Sequence, residues 1–131
     1  MEHNEISKAR LWSGRIMSWL VILLILLDGT MKLIKPKEVI EATINLGYAE
    51  HHILVIGILA LISIALYSIP RTAILGAVLL TGYLGGAVAT HFRIDNPLFS
   101  HTLFPIYIGV LLWGGLWLRD KKLKSLFPLK H

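Results

Sequence analysis

The 131-residue chain contains no cysteine and few charged residues. The absence of cysteine excludes disulfide bonds, thiolate redox chemistry and Cys-ligated zinc or iron–sulfur sites on this chain. Asp, Glu, Lys and Arg make up 16% of the residues and apolar residues 55%, whereas soluble domains have about 25% charged and about 45–50% apolar residues. The composition therefore predicts a membrane protein, and any electron transfer by it requires a bound cofactor.

Common catalytic motifs are also missing from the sequence. It has no G-x-S-x-G, P-loop, dinucleotide-binding or H-E-x-x-H motif, so nucleophilic hydrolases, nucleotide-dependent enzymes and zincins lack support. The net charge of +5 does not indicate nucleic-acid binding, because the basic residues flank apolar runs rather than forming one stripe. We therefore expect no nucleic-acid partner, and the sequence assigns no catalytic residue.

Four apolar runs approach the ~20 residues that a helix needs to cross a bilayer. They cover residues 14–34, 52–69, 72–91 and 103–118. Pro70 cannot continue the second helix and Thr72 can cap the third, which predicts a tight hairpin. The connection KPKEVIEATINLGYAEHH has apolar residues at helical spacing and predicts a short amphipathic helix on the membrane surface. The predicted fold is a single all-α domain over residues 1–131, an integral membrane four-transmembrane-helix bundle with an interfacial helix between helices 1 and 2.

The basic residues predict an orientation for these helices. Nine Lys and Arg residues flank the side that carries both termini, and four flank the other side. By the positive-inside rule, both termini, with tails 1–13 and 119–131, are expected in the cytoplasm. All four tryptophans lie at the same side, where they can anchor the helices at the interface.

The segment TGYLGGAVATHFR in the third run combines small and titratable residues. At about 100° per residue, four small residues share one stripe of the helix; they are Gly82, Gly85, Gly86 and Ala89. Small residues let membrane helices approach closely, so this stripe is predicted to pack against another helix of the same chain. A dimer interface is the alternative. On the first interpretation, Gly86→Leu should loosen the bundle.

Titratable residues are predicted to converge at the non-cytoplasmic end of the bundle. The set is Asp28, Lys32, Glu50, His51, His52, His91, Arg93, Asp95 and His101. Because ionisable groups are costly within membranes, this end is the candidate site. Asp28 and Lys32 are spaced i, i+4 and can neutralise each other; a proton-transfer or ligand-binding role for Asp28 is a compatible alternative.

Six residues are the candidate ligand-binding set: Asp28, Lys32, Tyr83, His91, Arg93 and Tyr107. From inside the bundle, the two tyrosines could hydrogen-bond a quinone-like carbonyl. Adjacent residues on a helix diverge, so His51 and His52 are not expected to share a metal. A site that combines one of them with His91, His101 and either Glu50 or Asp95 is a minor alternative, and no metal is predicted.

Four stretches carry a resemblance to a known family: LLDGTMKLIKP, LGYAEHH, IGILALISIALYSIPRTAILGAVLLTGYLGGAVATHFR and FPIYIGVLLWGGLWL. Over about residues 16–118 the chain resembles the DoxX-like family of small bacterial four-helix membrane proteins, most specifically in GYLGGAVATHFR. The resemblance implies a location in the bacterial inner membrane and a connection to quinone or respiratory chemistry. It implies no catalytic residues.

The leading functional hypothesis is an accessory or lipophile-binding protein linked to membrane redox chemistry. A quinone is the cofactor or ligand considered, and the expected partners are the lipid bilayer, a lipophilic small molecule and a membrane redox enzyme. The alternatives are a proton-coupled transporter that acts as an oligomer, an enzyme acting on lipids or quinones, and a purely structural bundle.

Overall fold

The computed structural model describes residues 7–126, and all regular secondary structure in this range is helical, as predicted. The parts of the predicted tails at residues 1–6 and 127–131 lie outside the described residues. The helices are α1 Lys8–Ile34, α2 Lys37–Asn45, α3 His52–Ser68, α4 Ala73–Arg93, α5 Phe104–Arg119 and α6 Lys121–Leu126. A 3₁₀ turn at Pro70–Thr72 leads into α4, and a π-helical turn at Leu98–Thr102 precedes α5.

Three helical segments of the described chain are long and apolar enough to cross a membrane. They are Lys8–Ile34, Pro70–Arg93 and Leu98–Arg119. The apolar helix α3 has 17 residues and is shorter than these three. At a rise of ~1.5 Å per residue it extends ~25 Å, somewhat less than the ~30 Å hydrocarbon core.

Helix α1 begins six residues before the predicted start at residue 14. The hydroxyl of Ser7 accepts a hydrogen bond from the backbone N–H of Arg10 at 3.1 Å and caps the helix. At the other end, Lys35 adopts a left-handed conformation with φ of 57°, and its N–H bonds to the carbonyl of Met31. The first helix is therefore extended on its N-terminal side by a polar turn outside the apolar run.

The four long helices form a ring in which α1 packs against α3 and α5, and α4 packs against the same two helices. The seams between them are closed by isolated glycines. A Cβ added at Gly115 on α5 would lie 2.9 Å from the carbonyl oxygen of Gly14 on α1. A Cβ at Gly57 on α3 would lie 3.1 Å from the carbonyl oxygen of Gly29 on α1. Backbones therefore touch directly at these crossings, as is typical of membrane helices.

The predicted glycine stripe on α4 does not make such a contact. A Cβ added at Gly82, Gly85 or Gly86 would meet nothing within 4 Å among the described residues, and Ala89 is exposed. The prediction that this stripe packs inside the chain is therefore wrong. The stripe lies on surfaces of α4 that border two cavities, so its small residues leave space instead of closing a seam.

A buried polar network joins three helices near the end of the ring that carries Arg119. The guanidinium of Arg119 donates to Ser18 Oγ at 3.0 Å, and Ser18 and Tyr67 share a hydrogen bond of 2.8 Å. Tyr67, which is 2% exposed, also donates to the carbonyl of Leu112 at 2.7 Å. The Tyr67 hydroxyl thus links α3 to both α1 and α5.

Tyr67→Phe is expected to lower the free energy of unfolding by about 1 kcal/mol, because it leaves the buried Leu112 carbonyl without this donor. Tyr107→Phe is the matched control, since the Tyr107 hydroxyl donates to Phe99 at the exposed surface. Unfolding by SDS in mixed micelles measures both variants. Equal losses in the two would contradict a stabilising role for the buried network.

Candidate functional site

A cavity of about 520 Å³ lies between α1, α2, α3, α4 and the start of α5. Its walls are mainly apolar and include Leu24, Ile25, Leu59 and Ile108. Polar side chains are gathered at one end of it: Asp28, Lys32, Thr43, Tyr48, Thr90 and His91, together with Tyr83. An apolar cavity of this size with a few convergent polar groups is the usual form of a small-molecule site.

Asp28 is the centre of the polar group. Its carboxylate accepts a hydrogen bond from the Lys32 ammonium at 2.6 Å, the pairing expected from their spacing on α1. Its other oxygen accepts a hydrogen bond from the Tyr83 hydroxyl of α4 at 2.9 Å. The Asp28 side chain remains 43% exposed, so the carboxylate still borders open space. The structure thus brings together three of the six predicted ligand-binding residues.

Tyr48 closes the cavity from the α2–α3 connection. The hydroxyls of Tyr48 and Thr90 are 2.8 Å apart, and Thr90 also donates to the carbonyl of Gly86 at 2.8 Å. Because the single Thr90 hydrogen is used in that second bond, Tyr48 must donate to Thr90. The Tyr48 oxygen therefore keeps acceptor capacity towards the cavity.

His91 borders the same cavity at the end of α4. The amide nitrogen of Asn96 lies 2.7 Å from Nδ1 of His91. An amide nitrogen is only a donor, so Nδ1 accepts this bond and the neutral ring carries its proton on Nε2. His91 is thus the fourth predicted residue at the cavity, and Nε2 is its available donor.

Gly82 and Gly86 form part of the cavity wall on α4. A Cβ added at either position would meet no described atom within 4 Å, apart from the glycine's chain neighbours and the nearby backbone of its own helix. A larger side chain at either position would extend into the cavity. The two glycines therefore provide volume for a ligand next to Tyr83, which follows Gly82 in the sequence.

Arg93 and Tyr107, the other two predicted residues, do not line this cavity. The Arg93 guanidinium donates to the carbonyl of Leu46 at 2.8 Å and lies over Gly47, whose φ of 100° marks the turn after α2. Tyr107 is 44% exposed and donates to the carbonyl of Phe99 at 3.0 Å. Arg93 holds the α2–α3 connection in place, and the expectation that Tyr107 faces the interior is wrong.

The histidines form two pairs. The rings of His51 and His52 are 4.3 Å apart, and those of His91 and His101 are 6.0 Å apart. The two rings of the first pair therefore lie next to each other, which differs from the expected divergence. Within residues 7–126, no three His, Cys, Asp or Glu residues are grouped closely enough to hold a metal ion.

Sequence reasoning missed Tyr48 and Thr90 as cavity residues. Tyr48 lies in the connection LGYAEHH. No local sequence pattern predicts that this connection passes over α4. Thr90 is separated from it by 42 positions. The signal available was polarity alone, since Thr90 is the only hydroxyl-bearing residue in the last two turns of α4.

Comparison with known proteins shows the family of the chain. A family model described as the DoxX-like family matches residues 16–115, which is more than half of the chain. The chain belongs to the DoxX-like family. No curated protein and no solved structure matches it. The matched region contains every polar residue named at the cavity and most of each of the three segments long and apolar enough to span a membrane, so this DoxX-like chain is a multi-pass membrane protein.

The chemistry available in the DoxX-like cavity is hydrogen-bond donation to a neutral ligand. The Lys32 ammonium has three N–H donors and uses one on Asp28. His91 offers Nε2–H, and both residues line the mainly apolar cavity. A lipophilic molecule with acceptor oxygens at one end matches this arrangement, whereas a second cation would have to compete with Lys32 for Asp28.

Proposed function

We propose that this DoxX-like protein binds a lipophilic small molecule that carries carbonyl oxygens, with quinones as the ligand class, and that it serves as an accessory protein in membrane redox chemistry. The observation that carries the proposal is the Lys32–Asp28–Tyr83 group on the wall of a cavity of about 520 Å³ that is otherwise mainly apolar. Such an environment strengthens hydrogen bonds to a ligand head group, because water competes less for them.

The proposed membrane placement has four spans. α3 crosses together with the three longer segments, and local thinning of the bilayer or tilting of its neighbours accommodates its 17 residues. The protein lies in a bacterial inner membrane with both termini in the cytoplasm. α2 lies in the membrane interface on the non-cytoplasmic side. The excess of Lys and Arg at the end that carries the termini supports this orientation.

In this placement the polar end of the cavity lies beneath the non-cytoplasmic surface. The ligand head group lies between Lys32 and His91, and each donates to an acceptor oxygen. Asp28 and Tyr83 hold the Lys32 ammonium in position. The apolar tail extends along the walls formed by residues such as Leu59 and Ile108. A quinone supplies the redox capacity that a chain without cysteine lacks.

Lys32→Gln is expected to weaken binding of a short-chain quinone by about tenfold or more, because a charge-assisted hydrogen bond is lost. Lys35→Gln is the matched control, since Lys35 is the C-cap of α1 and does not line the cavity. Equilibrium dialysis of the detergent-purified protein with a short-chain ubiquinone and a short-chain menaquinone analogue measures the affinities.

Protein purified in mild detergent from bacterial membranes should also carry a quinone detectable by mass spectrometry of an organic extract. The proposal would be rejected if the extract contained no quinone and dialysis showed no saturable binding. Equal affinity of the Lys32→Gln and Lys35→Gln variants would place any binding outside the cavity.

A further inference from the structure

We propose a second site, in which an anionic phospholipid lies with one acyl chain in a groove between α4 and α5 and with its phosphate at the basic end of that groove. The groove has a volume of about 560 Å³. It is lined almost entirely by apolar atoms, and its walls include Leu84, Gly85, Val88, Gly109, Val110 and Trp117. It opens on another face of α4 than the cavity described above: Gly85 lines the groove and the adjacent Gly86 lines the cavity, and Leu84 and Pro105 form a wall that the two share.

The groove fits an extended hydrocarbon chain in length. Along α5 it runs from Pro105 to Trp117, which corresponds to ~18 Å at the helical rise. One leaflet contributes about half of the ~30 Å hydrocarbon core. A single acyl chain that enters at Trp117 therefore fills the groove within roughly one leaflet.

Two cations lie at the Trp117 end of the groove. The Arg10 guanidinium lies 5.0 Å from the Trp117 ring centroid and the Lys124 ammonium 5.7 Å from it. Arg10 also donates to the carbonyl of Trp117 at 2.9 Å. Arg10 as a whole is only partly buried, and the N–H groups of a guanidinium are suited to phosphate oxygens.

The nearby acid, Asp120, is engaged with the backbone of α6. Asp120 accepts hydrogen bonds from the backbone N–H groups of Lys122 and Leu123 at 2.9 and 3.2 Å, and so caps the short helix α6. α6 in turn carries Lys124, which lies over Trp117. The arrangement combines an apolar groove with a cationic end at an interfacial tryptophan, which selects a lipid with an anionic head group.

Native mass spectrometry tests the site on the full chain in detergent. Phosphatidylglycerol and phosphatidylcholine with identical acyl chains are titrated separately, and the lipid-bound fractions are compared. A cation that contacts the lipid phosphate is expected to favour the anionic lipid by about fivefold. Lys124→Gln should reduce the preference for phosphatidylglycerol by that factor. Lys122 is an exposed cation of the same helix that has no ring contact among residues 7–126, so Lys122→Gln should leave the preference unchanged.

Gly85→Leu should remove binding of both lipids, because its side chain extends into the groove. Circular dichroism shows whether each variant remains folded, and Lys124→Gln alone decides the charge argument should Gly85→Leu fail to fold. Equal binding of both lipids by the wild type would overturn the proposal. It would also be overturned if a second copy of the chain, seen as a dimer, replaced the lipid. Quinone binding is measured separately by dialysis, so failure here leaves the cavity proposal intact.

Discussion

Gly76→Ala is expected to lower the free energy of unfolding by about 3 kcal/mol, the upper part of the range for overpacked sites. A Cβ at Gly76 would lie 2.6 Å from the Cα atom of Tyr67 and would also meet its backbone nitrogen. Neither atom can rotate away, so α3 and α4 must move apart at the hairpin. Moving them also disturbs Tyr67, whose hydroxyl connects α3 with α1 and α5.

The same substitution on the exposed stripe provides the control. Gly82→Ala adds a Cβ with no neighbour within 4 Å in the described structure. It is expected to be neutral or to stabilise α4 by up to about 1 kcal/mol, because alanine has the higher helix propensity. Unfolding in mixed micelles of SDS measures both variants. A larger loss for Gly82→Ala than for Gly76→Ala would show that the stripe, and not the hairpin, holds the helices together.

The contrast explains why helix positions were predictable and helix contacts were not. Helix positions follow from apolar runs and from helix-ending residues such as Pro70, and both depend on local sequence alone. Which face of a helix meets a neighbour depends on the whole arrangement. The G-x-x-x-G pattern of Gly82 and Gly86 indicated a shared face, but the seams use single glycines on different helices, such as Gly29 opposite Gly57. A motif search on one helix cannot detect such pairs.

In the candidate site, too, contacts within one helix were predictable and contacts between distant residues were not. The Asp28–Lys32 pair lies within one helix, so its spacing predicted it. Tyr48 and Thr90 meet only because the connection after α2 folds over α4, a contact across 42 positions. Tyr107 was placed inside on the basis of residue type alone, and the rotation of α5 turns it outwards. Tertiary contacts, and not composition, decide which tyrosines reach the cavity.

Gly86→Leu is expected to reduce quinone binding by at least about a hundredfold while the protein stays folded. The open space at Gly86 admits the side chain, so the bundle is not forced apart, contrary to the loosening that the sequence pattern suggested. The leucine instead occupies the cavity beside Tyr83 and the hydrogen-bonded Thr90. Steric exclusion from a preformed site costs several kcal/mol, which corresponds to this factor or more.

Gly85→Leu is the matched control, because it makes the same change one residue away on the same helix and in equally open space. Its side chain enters the groove between α4 and α5, not the cavity. Quinone affinity should therefore remain within about twofold of the wild-type value, corresponding to less than about 0.5 kcal/mol. Equilibrium dialysis gives both affinities, and circular dichroism gives the fold. Loss of quinone binding in both variants would mean that binding depends on the α4 surface as a whole, whereas loss in Gly86→Leu alone would assign the ligand to the cavity that contains Asp28.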